Sequence, residues 1–161
     1  MIIEGTALVI AQDDVDTDVI FPGAYLNVLD TREMARYLFE GLDAGLRERI
    51  VPGTILVVGD NFGSGSSREQ AATAMQAAGI TCVVAKSFAR IFHRNCINLG
   101  LPAIPSPEAA AAARDGSAVR VDPEAGEVEV DGERYPAPVL PPFMLELLEA
   151  GGLVPWIGSR R

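Results

Sequence analysis

A glycine- and serine-rich loop carries the side chains of this sequence that are best suited to chemistry. Gly63 and Gly65 are followed by Ser66, Ser67 and Arg68. Two hydroxyl groups beside a guanidinium favour an anion, because arginine can hold a carboxylate through two parallel hydrogen bonds. The loop is therefore predicted to bind a carboxylate or a phosphate.

The segments that flank this loop are predicted to be a strand and a helix. The apolar run at residues 54–58 is typical of a buried strand, and the alanine-rich run at 71–78, ended by Gly79, is typical of a helix. The first backbone N–H groups of such a helix, with the positive end of its dipole, also favour an anion. The elements around the loop thus agree with the chemistry of its side chains.

Three interpretations of the loop compete. A nucleotide phosphate loop needs a lysine followed by serine or threonine, and the cation here is Arg68 behind two serines, so this interpretation is set aside. A structural turn, with Arg68 paired to Glu69 or another neighbour, is the usual state of a glycine–serine loop. An active-site loop would use a serine as a base, which requires backbone amides that stabilise the alkoxide. The last two interpretations both fit the residues.

Composition limits the class of protein. The 161 residues are 48% hydrophobic with a formal charge of −9, which predicts one folded domain over residues 1–161 and disfavours nucleic acid or an anionic membrane as partner. The absence of a signal-peptide pattern and of a long apolar stretch predicts a cytoplasmic location. Cys82 and Cys96 are expected to be buried free thiols, and two cysteines cannot hold an iron–sulfur cluster or a structural zinc alone.

Hydrophobic periodicity and turn residues predict the remaining elements. A first strand is expected at 2–10, a helix capped by Asp30 or Thr31 and running to Leu42, and a further helix capped by Ser87. Later elements are a short strand at 81–85, another within 102–107, a helix at 108–113, a β-meander near 119–135 and a last helix from Phe143 to Gly151.

The acidic segment at residues 13–18 is predicted to form a turn. As a calcium loop beginning at Asp14, it would place Val19 where glycine is required and Tyr25 where glutamate is required. Asx-type hydrogen bonds from these aspartates are therefore expected instead.

The second half of the chain carries a basic stripe and one histidine. Lys86, Arg90 and Arg94 recur every four residues and are interpreted as one solvated helix face. His93 is expected at the surface or facing a partner, since no acidic residue nearby could orient it for catalysis. Trp156 is expected to be a packing anchor.

Two segments resemble a known family. Residues 60–71 (DNFGSGSSREQA) and 85–92 (AKSFARIF) closely resemble the swivel domain of the aconitase superfamily, and more narrowly its free-standing small subunits of the 3-isopropylmalate dehydratase and homoaconitase type. Residues 14–23 and 148–154 are also similar to segments of that family. The resemblance covers nearly the whole chain, and it implies a swivelling β/β/α fold.

The resemblance also implies a reaction and a set of roles. The family removes water from a hydroxy acid and adds it back at the neighbouring carbon, through a cis-alkene. Ser66 matches the catalytic base, and Gly65, Ser67 and Arg68 match positions that hold the substrate carboxylate. The [4Fe-4S] cluster of the family belongs to a large subunit, so the resemblance implies that this chain works with that partner.

The resemblance assigns residues 24–32 to the loop that distinguishes substrates. Family members acting on homoaconitate often have Tyr-Leu-Arg-Thr there, and this chain has Tyr25, Leu26, Asn27 and Val28. The uncharged Asn27 suits an isopropyl group, since burying an unpaired distal carboxylate is costly. The expected substrate is 3-isopropylmalate, and homoaconitate is the alternative, with Arg32 as its carboxylate partner. A stand-alone carboxylate-binding module remains the alternative from another class.

Overall fold

The structure is a computed structural model, and it describes residues 1–65 and 68–159. Its strands are β1 Ile3–Ile10, β2 Thr54–Val58, β3 Ile80–Ala85, β4 Ala103–Pro105, β5 Ala118–Asp122, β6 Glu127–Val130 and β7 Glu133–Pro136. Its α-helices are α1 Thr17–Ile20, α2 Thr31–Met34, α3 Glu69–Ala78, α4 Arg90–Asn98, α5 Pro107–Ala112, α6 Pro142–Ala150 and α7 Leu153–Ser159. Short 3-10 helices lie at Gly23–Tyr25, Ala35–Tyr37 and Ala44–Arg49.

The strands form one mixed sheet with the order β4-β3-β2-β1-β5-β6-β7. The half from β4 to β1 is parallel, whereas β5, β6 and β7 continue antiparallel from β1 as a meander. The parallel half directs the carboxyl ends of four strands to one edge of the sheet. Loops at that edge of an open α/β sheet are the usual place for a binding site.

Strand β2 shows why the sheet has a core on each face. All five of its residues are buried, and their side chains alternate between the faces. Leu56 and Val58 join a first core that α3 and α4 cover, and Ile55 and Val57 join a second core that α5 and α6 cover. The continuous apolar run in the sequence is thus explained by a parallel strand buried on both sides.

The central helix α3 confirms its prediction and begins two residues earlier than expected. It ends at Gly79, whose φ of 109° lies in the left-handed region and whose N–H bonds to the carbonyls of Met75 and Gln76. Glycine adopts this conformation without strain, which is why it ends helices. The predicted β1, β3, β4, α5, α6 and meander are also confirmed, with small shifts in their ends.

Two helix predictions were wrong. Ser87 does not cap α4, which begins at Arg90 after an extended Ala89. The helix predicted from residue 31 to Leu42 has only one α-turn and one 3-10 turn, and it stops before Phe39, whose φ is 59°. The cap at Asp30 is confirmed, since its carboxylate accepts from the N–H of Arg32 at 2.9 Å.

The C-terminal segment adds a helix that the sequence pattern did not predict. Helix α7 follows the Gly151 turn, and its Trp156 ring meets the ring of Phe143 edge-on at 5.2 Å. Trp156 also packs against the second core, which confirms it as a packing residue. In the described part of the chain, no helix has the length and apolarity needed to span a membrane.

Both cysteines are buried and unpaired, as predicted. Cys82 lies in the second core and Cys96 in the first, so the sheet separates the two thiols. Burial raises the pKa of the Cys82 thiol to about 12 and raises the pKa of Cys96 as well. Little thiolate therefore exists in the folded protein near neutral pH.

We expect neither thiol to react with iodoacetamide at pH 8 while the chain is folded, because alkylation requires an accessible thiolate. Mass spectrometry should find no modified cysteine after brief treatment of the folded protein and two after treatment in guanidinium chloride. Rapid labelling of the folded protein at either thiol would contradict the burial of that cysteine.

Candidate functional site

Three segments meet at the carboxyl edge of the parallel strands. They are residues 11–18 after β1, 59–65 and Arg68 after β2, and 86–89 after β3. Isolated parallel bridges join Asp16 to Ser64 and Phe62 to Phe88, so each outer segment pairs with the central loop. The loop predicted to carry the chemistry is thus held on both sides.

Backbone hydrogen bonds connect the first segment to the loop. The N–H of Asp14 donates to the carbonyl of Asp60 at 2.9 Å, and the N–H of Gly63 donates to Val15 at 2.8 Å. The N–H of Thr17 donates to Ser64 at 2.8 Å. The donors of these bonds alternate between the two segments, as they do in a short parallel β-ladder.

The aspartates of the first segment act as hydrogen-bond acceptors, but among Asp13, Asp14 and Asp16 only Asp16 makes a local bond of the predicted Asx type. Asp16 accepts from the N–H of Val19 at 2.9 Å and caps α1. Asp13 accepts from the N–H of Asp60 at 2.8 Å, and Asp14 accepts from the amide of Asn61 at 3.0 Å. Asp13 and Asp14 thus bond to the central loop, 47 positions along the chain, where bonds within the segment were predicted.

The third segment holds the loop through Ser87. Its hydroxyl accepts from the N–H of Asn61 at 2.8 Å and donates to the carboxylate of Asp60 at 3.1 Å. The N–H of Phe62 donates to the Ser87 carbonyl at 3.1 Å, and the N–H of Ala89 donates to Phe62 at 3.0 Å. Ser87 therefore orders the loop after β2 instead of capping the helix that follows it.

Gly63 and Gly65 both require the freedom of glycine. Their φ angles are 85° and 95°, in the left-handed region. A Cβ at Gly63 would lie 2.1 Å from Cγ of Phe92, so the ring occupies the space that a side chain would need. Gly65 is exposed and lies beside Asp16 and Thr17, where its backbone is accessible to a ligand.

Arg68 points back to the segment that follows β1. Its Nη1 donates to the carboxylate of Asp18 at 2.6 Å and to the carbonyl of Phe21 at 3.3 Å. The Arg68 side chain is 22% exposed, whereas that of Asp18 is 65% exposed. The prediction that Arg68 pairs with a neighbour is correct in kind, but the partner lies 50 residues upstream rather than at Glu69.

The same contact perturbs the acidity of Asp18. The hydrogen bond from Arg68, followed by the one from the N–H of Gly23 at 2.8 Å, lowers the pKa of the Asp18 carboxyl below its usual 3.8. Both donors stabilise the charged carboxylate. At neutral pH the Arg68 guanidinium thus forms an ion pair with the Asp18 carboxylate through Nη1. Its Nη2 makes no hydrogen bond to the described residues.

The predicted specificity loop begins beside this ion pair. Gly23 contacts it directly, because a Cβ there would lie 3.3 Å from both Nη2 of Arg68 and Oδ1 of Asp18. Tyr25 is fixed by a 2.6 Å hydrogen bond from its hydroxyl to Glu40 and by stacking on Tyr37. The loop is therefore attached to the arginine at its start.

The remaining loop residues differ in what they can offer a ligand. Leu26 and Val28 are half-buried against the first core. Asn27 and Arg32 are exposed, and the Arg32 side chain has no ion pair within the described residues. Leu29, which follows Asn27 and Val28 in the part of the loop expected to suit an isopropyl group, is 88% exposed.

The other sequence candidates divide between the site and its surroundings. Ser66 and Ser67 lie outside the described residues. Lys86 precedes α4, so the predicted single stripe of three cations is wrong, and only Arg90 and Arg94 lie together on the helix. His93 is half-buried rather than at the surface, with Nε2 2.8 Å from the carbonyl of Ala103.

Comparisons with known proteins agree with this geometry. A family model described as the Aconitase C-terminal domain matches residues 42–108, which include the whole central loop. The chain is 49% identical to the 3-isopropylmalate dehydratase small subunit of Moorella thermoacetica, over 99% of this chain and 97% of that one.

Two further similarities extend the comparison. The 2,3-dimethylmalate dehydratase small subunit of Eubacterium barkeri is 45% identical, with 91% of each chain covered. The crystal structure of a 3-isopropylmalate dehydratase from Methanocaldococcus jannaschii superimposes with a TM-score of 0.91 at 41% identity, over 99% of this chain and 95% of that one. The α/β fold predicted from the sequence is therefore confirmed over nearly its whole length.

We expect Asp18→Asn to lower the unfolding temperature at pH 6 and to have a smaller effect below pH 3.8. A carboxyl with a lowered folded-state pKa stabilises the fold above its unfolded pKa, and this stabilisation is lost as the pH falls through the folded value. Thermal unfolding followed by circular dichroism between pH 2 and 7 measures the difference.

Asp30→Asn is the matched control, because Asp30 is an exposed cap without an ion pair in the described part of the chain. Asparagine also caps helices well, so this control should show little dependence on pH. An Asp18→Asn effect that is the same at every pH would contradict the charged pairing with Arg68.

Proposed function

Because the chain belongs to the family of 3-isopropylmalate dehydratase small subunits, we propose that it is the small subunit of a two-chain hydro-lyase. The enzyme interconverts two hydroxy acids by removing water and adding it back at the adjacent carbon. The observation that carries this proposal is Arg68, which lies at the carboxyl edge of the sheet beside the loop at 24–32. A fixed cation next to a separate loop suits a substrate that has both a carboxylate and a distinguishing side group.

The substrate that we propose is 3-isopropylmalate. The loop offers the exposed, uncharged Asn27 and the almost fully exposed Leu29 to a side group, and both suit a branched alkyl group better than a carboxylate. The relative from Eubacterium barkeri is named for a malate that carries methyl groups, which favours the same class of substrate. Homoaconitate is the second candidate, because the exposed Arg32 could pair with a distal carboxylate.

Within this proposal each residue of the loop has one role. Arg68 binds the substrate carboxylate through the side of its guanidinium that is turned away from Asp18. Ser67 and the backbone of Gly65 complete the carboxylate site. Ser66 removes the proton from the carbon next to that carboxylate, a role that requires backbone amides to stabilise its alkoxide.

The [4Fe-4S] cluster of the family does not fit this chain. The two cysteines lie in different cores on opposite faces of the sheet, with their side chains buried. Among the described residues no group of three or more histidine, cysteine or acidic side chains could hold a metal ion. We therefore propose that the cluster is held by the large subunit, as the family resemblance implies, and that this chain supplies only the base and the carboxylate site.

The experiment that tests the proposal is anaerobic reconstitution with a cluster-bearing large subunit. Turnover is followed by the absorbance of the alkene product, with 3-isopropylmalate, 2,3-dimethylmalate and homoisocitrate offered separately. We expect no turnover by either chain alone and the highest kcat/KM for 3-isopropylmalate in the pair. Activity of this chain alone would contradict the two-chain hydro-lyase. Carboxylate binding by this chain that no large subunit affects, without turnover, would support the stand-alone module instead.

Substitution of the loop tests which residue selects the substrate. We expect Asn27→Arg to lower kcat/KM for 3-isopropylmalate and to raise that for homoisocitrate, each by about tenfold or more, because it adds a partner for the distal carboxylate. Asn27→Gln is the matched control, since it lengthens the side chain without adding charge. Equal effects of the two variants would show that the size of residue 27, rather than its charge, determines the choice.

Substitution of the proposed base and of the carboxylate-binding residue should separate two kinetic effects. We expect Ser66→Ala to lower kcat by about 10²–10⁴-fold with little change in KM, because it removes only a proton transfer. Arg68→Lys should raise KM as well, because lysine cannot reproduce the planar pair of hydrogen bonds.

Steady-state kinetics of both variants with saturating large subunit measure these effects. Ser67→Ala provides the comparison for Ser66→Ala, since it removes a neighbouring hydroxyl with no role in proton transfer. Near-normal turnover by Ser66→Ala would rule out Ser66 as the base.

A further inference from the structure

A groove of about 350 Å³ runs between α4 and α6, on the part of the molecule next to the candidate site. We call it the α4–α6 groove. Helix α4 contributes two arginines, His93, Asn98 and one apolar residue, and α6 contributes three apolar residues. The lining side chains that matter here are Arg90, Arg94, Ile97, Phe143, Met144 and Leu147.

The charge of the groove is opposite to that of the chain as a whole. Arg90 and Arg94 are exposed and have no ion pair within the described residues, and no carboxylate lines the groove. The chain as a whole carries a formal charge of −9. Two unpaired guanidinium groups one helical turn apart therefore form a local cationic site on an acidic protein.

The floor of the groove is apolar and one of its walls is exposed. Leu147 is buried, whereas Phe143 is 51% exposed although its ring packs against Trp156. An exposed aromatic ring beside unpaired arginines is the composition that protein interfaces favour, because aromatic residues and arginine are enriched there.

The groove is continuous with the candidate site. Arg90 follows Ala89, whose N–H bonds to Phe62 of the central loop at 3.0 Å. Phe92, on the same helix, packs against Gly63. A partner that reaches over the central loop would therefore meet the first turn of α4.

We propose that the α4–α6 groove is a docking site for the large subunit, and that it receives an acidic, amphipathic segment of that chain. Carboxylates of the segment pair with Arg90 and Arg94, and an apolar side chain packs on Met144 and Phe143. The inference rests on the proposed function, because that function requires a partner over the central loop. It goes further by assigning the contact surface and the chemistry of the partner segment.

The charge also argues against a second copy of this chain as the occupant. A two-fold contact through this groove would place the arginines of one copy opposite those of the other. Like charges at an interface are unfavourable. A complementary acidic partner has no such penalty.

Charge reversal at the groove tests the proposal. The double variant Arg90→Glu/Arg94→Glu is compared with Arg36→Glu/Arg134→Glu, which changes the net charge equally at exposed arginines outside the groove. Binding of each full-length chain to the purified, cluster-loaded large subunit is measured at several salt concentrations. We expect the groove variant to raise Kd by about tenfold or more at low salt and the control variant to have little effect.

Turnover at saturating large subunit separates this inference from the proposed function. The groove variant should retain kcat within about twofold, because Arg90 and Arg94 have no role in the reaction. A second variant, Phe143→Ser, should weaken binding without altering the salt dependence. Unfolding temperatures check that each variant is folded.

Three outcomes would overturn the docking site. The first is a Kd for the groove variant equal to that of the control, with normal turnover, which would leave the proposed function intact. The second is a groove that binds a small aliphatic carboxylate such as 4-methylpentanoate, in calorimetry of this chain, while affinity for the large subunit is unchanged by the variant. The third is failure of the unaltered chain to bind or activate the large subunit, which would overturn both proposals.

Discussion

The contact between the Phe92 ring and the backbone of Gly63 is the constraint on which the candidate site depends. The ring lies where any side chain at residue 63 would have to be, and the φ of 85° there is one that glycine adopts without strain. Because Phe92 is fully packed in the first core, the loop cannot move toward α4. The hydrogen bond from Gly63 to Val15 fixes its other side. The path of the loop from β2 to Arg68 is thus set by packing below it and by pairing beside it.

The elements that the sequence predicted well are those whose signals are local. Strand β2 is a continuous apolar run, and α3 has both an alanine-rich body and a glycine stop, so periodicity and a cap agree. The helix predicted to reach Leu42 failed because its apolar residues also pack when the chain turns. The N–H of Phe39 bonds to the carbonyl of Ile20 at 2.7 Å, and this contact across 19 positions ends the helix.

Side chains that bond across the sheet edge could not be predicted in the same way. Ser87 has the residue type and the spacing of a helix cap, yet its hydroxyl accepts a hydrogen bond from the N–H of Asn61, 26 residues earlier. Arg68 was expected to find a neighbour, and it pairs with Asp18 only because β1 and β2 are adjacent and parallel. The residues of the loop were recognisable from type and spacing, whereas their partners required the topology. The predicted stripe of three cations failed for a related reason. Helix α4 begins at Arg90, so Lys86 lies before the helix and cannot share a helical face with Arg90 and Arg94.

The segment from Asp18 to Arg32 connects the proposed carboxylate-binding residue to the proposed specificity loop, and it anchors the two separately. Asp18 accepts from Arg68 and from the N–H of Gly23, so the residue just before the proposed specificity loop and the guanidinium share one acceptor. Beyond Gly23, Tyr25 is anchored to Glu40 and Tyr37, which isolates the exposed residues that follow from the ion pair. Within the proposed function, a substitution at Asn27 or Arg32 would therefore change the preferred side group while Arg68 keeps its position. Relatives similar to this chain are named for differently substituted malates, and separate anchoring of the two parts would let one fold serve either side group.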